Sequence, residues 1–137
     1  MDTRLPKNWQ EATISDVCYP VSNTFDFKQY KKFIFINTGD IEEGGFLHRN
    51  YFQDNHLPGQ AKKSINKLDI LYSEIRPKNK HFAFIDFDAD EYVVSTKLMV
   101  IRNRNNILPE FLYLLLTNNM TIDNFQAIAE NYLLSYY

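Results

Sequence analysis

Apolar and polar residues alternate over short stretches in the first two thirds of the chain, which predicts a β-rich structure. Lys32 to Asn37 forms a short apolar strand that ends in the turn signal Thr38-Gly39-Asp40. Gly44-Gly45 marks a second turn, and we predict a further strand from Phe46 to Phe52, although polar residues interrupt it. Leu57-Pro58-Gly59-Gln60 carries a Pro-Gly pair and is predicted to be a loop.

Two aromatic-rich runs, Asp69 to Ile75 and Phe82 to Phe87, predict a β-hairpin. The connection from Arg76 to His81 is polar and basic, and its length suits a longer hairpin loop. Pro77 disfavours the right-handed helical conformation at the residue before it. We therefore expect a rigid hairpin with a basic tip.

A third run, Tyr92 to Ile101, alternates between two faces and is predicted to be a single strand, with Ser95 and Lys97 on the face exposed to water. From Leu108 the period becomes helical, because apolar residues recur at i, i+3, i+4 and i+7 (Leu108, Phe111, Leu112 and Leu115).

We predict one helix over residues 109–117 and a second from Thr121, a candidate N-cap, to about Asn131. The fold class is therefore α+β: a mixed or antiparallel sheet with a basic hairpin, followed by two C-terminal helices.

Length and composition are those of one ordinary globular domain. The 137 residues are 45% apolar and 23% charged, so neither a fibre nor a disordered tail fits. No apolar run approaches the roughly 20 residues that span a bilayer, and Met1 to Gln10 lacks a signal-peptide core. We expect a cytoplasmic protein with no membrane partner. Cys18 stands alone and is expected to be a buried small hydrophobe.

The sequence contains partial matches to catalytic and metal-binding motifs, and none of these matches is complete. Ser64 and Lys67 have the Ser-x-x-Lys spacing, but the Ser-Asp-Asn and Lys-Thr-Gly elements that such enzymes need do not occur. The acidic segment from Asp86 to Glu91 lacks the bending Gly of a calcium loop, and the three His lack ligand spacing. We expect no enzymatic activity, metal or cofactor in this chain, and a hydrolase is the third of three hypotheses.

Positive charge is concentrated in the middle of the chain, although the formal net charge is −2. Residues 60–85 carry six basic and two acidic side chains. We predict that the basic residues lie in a loop, which includes Lys62 and Lys63, and on the hairpin tip. Arg and Lys can contact phosphate or guanine, and the amides of Gln60, Asn66 and Asn79 match adenine. The alternative is a basic loop that simply faces water.

Four blocks of sequence resemble the specificity subunits of type I restriction-modification systems. They are Phe35-Ile36-Asn37-Thr38-Gly39-Asp40-Ile41, Leu57-Pro58-Gly59-Gln60-Ala61-Lys62, Asp69-Ile70-Leu71-Tyr72-Ser73-Glu74-Ile75-Arg76-Pro77 and Ser95-Thr96-Lys97-Leu98-Met99-Val100-Ile101. Their order and spacing match that family from about Ile14 to Ala129, and the last three blocks together are specific.

The resemblance implies a target recognition domain that binds a short duplex DNA sequence without catalysis. In that family, modification subunits bind S-adenosylmethionine and methylate adenine, and a motor subunit uses ATP and Mg²⁺. We expect these cofactors only in partner subunits. The expected partners of this chain are double-stranded DNA, a methylase subunit and a second copy of the chain.

Residues 1–137 are expected to form one partial recognition domain, without the family's spacer helices or its second recognition domain. Because the spacer helices dock the modification subunits, docking remains open. The competing hypothesis is an interaction fragment that associates with a restriction-modification complex and does not bind DNA.

Motifs shared by family members that recognise different sequences cannot encode the sequence. Lys62, Arg76 and Lys97 are therefore assigned to phosphate positioning or fold support. Base contacts are expected in residues 43–56 and 78–90. The complete candidate set for DNA contact is Gln60, Lys62, Lys63, Asn66, Arg76, Lys78, Asn79, Lys80, Lys97, Arg49 and Asn50.

Overall fold

The computed structural model describes residues 11–52 and 58–134, with side chains as far as residue 128. The first half contains α1 (Ile14–Val17), β1 (Cys18–Val21), β2 (Ile34–Ile36), a 3-10 turn (Thr38–Asp40), β3 (Ile41–Glu42), β4 (Gly45–Phe46) and β5 (Ala61–Ser64). The second half contains β6 (Ile70–Ser73), a 3-10 turn (Pro77–Asn79), β7 (Phe82–Phe84), β8 (Tyr92–Ser95), β9 (Leu98–Asn103), α2 (Pro109–Thr117) and α3 (Asn119–Leu134).

An antiparallel four-stranded sheet, in the order β1-β9-β6-β7, holds the predicted hairpin. Helices α2 and α3 cover one of its faces, where Tyr72 stacks edge-on against Phe125 and donates its hydroxyl to the carbonyl of Leu116 at 3.1 Å. Burial of this ring raises the pKa of Tyr72. The expected α+β class, with a basic hairpin and two C-terminal helices, is confirmed.

A second sheet has the order β2-β8-β5, with β2 parallel and β5 antiparallel to β8. Its strands bury Val93 and Phe35 against a cluster of aromatic rings that includes Phe25. A β-bulge interrupts β5 between Ala61 and Lys63. The prediction that Lys62 and Lys63 lie in a loop is wrong, because pairing with β8 makes this segment a strand.

The prediction of one strand from Tyr92 to Ile101 is also wrong. The chain turns at Thr96 and Lys97, so that β8 belongs to the three-stranded sheet and β9 to the four-stranded one. Ser95 is fully buried, and its hydroxyl accepts a hydrogen bond from the backbone N–H of Lys97 at 3.1 Å. Ser95 therefore stabilises the turn instead of facing water.

Helix α2 has the predicted bounds but packs by a different face. Leu112 and Leu116 are buried, whereas Leu108, Phe111 and Leu115 are 72%, 50% and 41% exposed. Leu112 and Leu116, four positions apart, face the four-stranded sheet. Because apolar residues lie around the helix, its sequence allowed more than one inner face.

Helix α3 begins at Asn119, before the predicted Thr121, because the Asn118 side chain caps it by accepting from the N–H of Thr121 at 2.9 Å. The strand predicted from Phe46 to Phe52 is confined to Gly45–Phe46 plus an isolated bridge at Tyr51. Pro58 to Gln60 form a turn as predicted, and Leu57 lies outside the described residues. Among the helices of the described ranges, none has the length and apolar character to cross a bilayer.

Candidate nucleic-acid interface

The connection between β6 and β7 is a compact 3-10 turn with an unusual backbone. Arg76 (φ 51°, ψ 71°) and Lys80 (φ 57°, ψ 36°) flank Pro77–Asn79 and both adopt left-handed conformations. Pro77 is buried, whereas Arg76, Lys78 and Asn79 are exposed. The Lys78 N–H donates to Oε1 of Gln126 on α3 at 3.2 Å. The tip is thus held against α3 and directs its polar side chains outward.

A groove of about 320 Å³ opens at the base of this turn. We call it the hairpin groove. Pairing of Ser73 with Leu98 between β6 and β9 brings the β8–β9 turn, and with it Lys97, to the end of β6 beside Arg76. The groove is lined by Thr38, Ser73, Ile75, Arg76, Asn79, His81 and Lys97.

The chemistry of the hairpin groove favours an anionic or hydrogen-bond-accepting ligand. Arg76 and Lys97 form no ion pair with any residue that the structure describes, and the lining contains no carboxylate. Oγ1 of Thr38 is buried without a hydrogen-bond partner in the described part of the chain. Two cations and an amide therefore meet in one groove, which is also lined by the residue that carries the unsatisfied hydroxyl.

Three of the eleven predicted contact residues, Arg76, Asn79 and Lys97, line this groove together, and Lys78 lies exposed on the same turn. Two other predicted cations already have partners within the chain. The ammonium of Lys80 lies 3.6 Å from the carboxylate of Glu43, and Nζ of Lys63 donates to the carbonyl of Leu98 at 2.8 Å.

Gln60, Lys62 and Asn66 lie outside the hairpin groove. The Gln60 carbonyl accepts from the N–H of Thr96 at 2.9 Å, and the Asn66 N–H donates to Asp69 at 2.8 Å. Lys62 is exposed on β5. Their assignment to DNA contact remains a prediction.

Arg49 and Asn50 lie in the loop after β4. The Arg49 guanidinium lies over two aromatic rings, 4.5 Å from the centroid of Phe46 and 4.3 Å from that of Phe87. Its Nη1 donates to the hydroxyl of Tyr92 at 3.2 Å. Asn50 is exposed, and its N–H donates to Nδ1 of His48 at 3.1 Å.

Four residues that line the groove were not predicted from the sequence: Thr38, Ser73, Ile75 and His81. The first three lie inside the sequence blocks quoted above, so membership of a shared block was the available signal. His81 is tied to the sheet by Nδ1, which lies 2.8 Å from the carbonyl oxygen of Ile41. Across residues 11–52 and 58–134 no three His, Cys, Asp or Glu side chains are grouped to hold a metal ion.

Comparison with known proteins gives concordant matches. The family model "Type I restriction modification DNA specificity domain" matches residues 6–132. The type I restriction enzyme HindI specificity subunit of Haemophilus influenzae is 52% identical over 125 residues, which cover 90% of this chain and 27% of that protein. The chain therefore spans about a quarter of the curated relative that it matches.

Two solved structures share the fold. One, described as the structural basis of complex assembly and conformational transition of the type I R-M system, matches with a TM-score of 0.73 and 25% identity over 92% of this chain and 33% of its own. The HsdS subunit from Thermoanaerobacter tengcongensis matches with a TM-score of 0.67 and 27% identity, covering 80% of this chain and 29% of the subunit.

Proposed function

We propose that this chain, which belongs to the type I restriction-modification DNA specificity domain family, binds one short segment of double-stranded DNA in a sequence-specific manner. One observation carries the proposal: Arg76 and Asn79 of the hairpin turn and Lys97 of the β8–β9 turn, all predicted to contact DNA, line a single groove without a carboxylate. Cations of this kind position a protein on DNA phosphates.

Residues inside the sequence blocks shared by the family and residues outside them have different roles in the interface. Arg76 and Lys97 belong to blocks that the family shares, and they supply phosphate contacts that are independent of base sequence. Residues outside those blocks, in the loop after β4 and in the exposed part of the hairpin turn, supply the contacts to base edges. Lys78, Asn79, Arg49 and Asn50 are the residues in this second group.

The chain acts as a recognition domain without catalysis. Methylation and cleavage of the DNA take place in partner subunits, which hold S-adenosylmethionine, ATP and Mg²⁺. Binding by one domain alone is weak, near the range of about 10⁻⁴ to 10⁻⁶ M typical of nonspecific complexes at physiological salt. A second recognition domain on the same DNA would raise the overall affinity, because its binding is then intramolecular.

Selection of bound duplexes from a random-sequence pool at low salt tests the proposal. We expect the chain to retain duplex DNA and to enrich one short sequence. A chain that retains no duplex at low salt would contradict DNA binding, and retention without enrichment would contradict sequence specificity.

An interaction role without DNA binding is the second candidate, favoured by exposed apolar surface. Leu108, which precedes α2, and Phe111, Leu114 and Leu115 within it are between 41% and 72% exposed. A larger groove of about 830 Å³ between β6, β9 and α3 is lined mostly by apolar residues. Surfaces of this kind commonly bind proteins. Association with a modification subunit by a chain that retains no duplex would favour this candidate.

A further inference from the structure

Arg49 is an exposed arginine whose orientation is set by the protein itself. Its guanidinium lies over the rings of Phe46 and Phe87, which meet edge-on at 5.6 Å, and its Nη1 is bonded to the Tyr92 hydroxyl. The contact of a cation with an aromatic ring is favourable even at an exposed site. Two rings and one hydrogen bond together restrict the rotamers of a side chain that otherwise moves freely.

Restricting a charged side chain in this way has a consequence for binding. A long side chain that is immobilised only on binding loses conformational freedom at that step, and Arg49 has lost part of that freedom already. Arg49 forms no ion pair with the residues that the structure describes, so its charge is not neutralised there. Only one of its five N–H donors is used by Tyr92, which leaves most of the planar fork for a ligand.

The loop that carries Arg49 is fixed relative to the hairpin turn. The β3–β4 hairpin directly before it is bonded to the end of that turn, because the N–H groups of Glu43 and Gly44 donate to the carbonyls of Lys80 and Phe82 at 2.8 and 2.9 Å. The loop itself is pinned by His48, whose Nε2 lies 3.3 Å from the carboxylate of Asp40. Arg49 therefore holds a defined position relative to the hairpin turn.

The position of Arg49 in the sequence distinguishes it from Arg76. Arg76 lies inside a block that resembles the whole family, whereas Arg49 and the residues that hold it, Phe46, Phe87 and Tyr92, lie outside all four blocks. Residues that discriminate between sequences are expected outside the shared blocks. The planar fork of an arginine matches O6 and N7 of guanine in the major groove, which is the commonest specific contact between protein and DNA.

We propose that Arg49 is a specificity-determining residue that donates two hydrogen bonds to one guanine of the recognised DNA, and that Phe46, Phe87 and Tyr92 are the positioning residues that orient it. This inference rests on the proposed DNA binding and names one of the bases that the domain recognises.

Selection from a random duplex pool with Arg49→Lys tests this inference. Lysine keeps the charge but loses the planar fork. We expect one guanine position in the sequence enriched by the parent chain to lose its preference by about 5- to 100-fold, with the preferences at other positions kept. Tyr92→Phe, which keeps the ring and removes the hydroxyl bonded to Nη1, should weaken the preference at the same position.

Arg104→Lys is the matched control. Arg104 also lies over an aromatic ring, 4.8 Å from the centroid of Tyr19, and its Nε donates to the carbonyl of Ser15. It follows the last residue of β9, at the end of that strand away from the hairpin turn. We expect the Arg104→Lys substitution to leave every base preference unchanged.

Three results would overturn the inference in distinguishable ways. Unchanged preferences with Arg49→Lys would show that Arg49 does not contact a base. An equal loss of affinity for all sequences would show that it contacts phosphate instead. A parent chain that retains no duplex at low salt would remove the proposed function and this inference together.

Discussion

The two ends of strand β6 place arginines in opposite surroundings. At its start, the Asp69 side chain is 2% exposed and accepts two hydrogen bonds from the guanidinium of Arg102, each at 2.9 Å. At its end, Arg76 lines the hairpin groove and forms no ion pair among the described residues. The four residues of β6, followed by Glu74 and Ile75, separate the paired carboxylate of Asp69 from the guanidinium of Arg76.

The difference separates stability from binding. The hydrogen bonds to Asp69 raise the pKa of Arg102 despite the opposing effect of its burial, and the two bonds between these side chains support the sheet. Arg76 adds nothing of this kind, and its left-handed backbone costs about 1–2 kcal/mol. This combination of a costly backbone conformation and free donors supports the role in binding that we propose for Arg76.

Asp69→Asn should have the largest effect. Removing the carboxylate leaves Arg102, whose side chain is only 21% exposed, without its counter-charge. We expect the free energy of unfolding to fall by about 3 kcal/mol, measured by urea denaturation. Asp90→Asn, at an exposed position, is the control and should change it by less than about 0.5 kcal/mol. Equal losses in the two variants would show that the pair at the start of β6 does not stabilise the sheet.

Replacing Arg76 separates its effect on duplex binding from its effect on stability at the end of β6. Arg76→Gly removes the cation and relieves the left-handed backbone, so we expect weaker duplex binding with stability unchanged or raised by up to about 1 kcal/mol. Arg76→Ala removes the same cation but keeps the backbone cost. The two variants should bind duplex alike and differ in thermal unfolding. If both were destabilised to the same extent, Arg76 would have a role in the fold.

Local features of this molecule were predictable because each depends on neighbouring residues. The β6–β7 hairpin follows from two aromatic-rich runs around Pro77, and α2 follows from Pro109 and the apolar period after it. Pro77 does keep Arg76 out of the right-handed helical region, although the residue adopts a left-handed conformation instead of an extended one.

Features that depend on distant residues were not predictable in the same way. The chain leaves β8 at Thr96, whose N–H donates to the carbonyl of Gln60, 36 positions earlier in the sequence. Apolar residues such as Leu114 surround α2, so its own sequence does not decide which face is buried. Packing against Tyr72 and its neighbours decides it. The hairpin groove exists because the β6–β9 register places Lys97 beside Arg76, and no local pattern specifies that register.

The salt dependence of duplex binding tests the central claim most directly. If the chain neutralises about four to six phosphates, the logarithm of the association constant should fall with the logarithm of salt concentration at a slope of roughly −4 to −5. Arg76→Ala with Lys97→Ala should reduce the magnitude of that slope by about 2. The control pair Lys28→Ala with Lys31→Ala changes the net charge equally at exposed positions outside the hairpin groove and should leave the slope unchanged. Equal slopes for the two double variants would contradict the claim that the cations of the hairpin groove contact DNA.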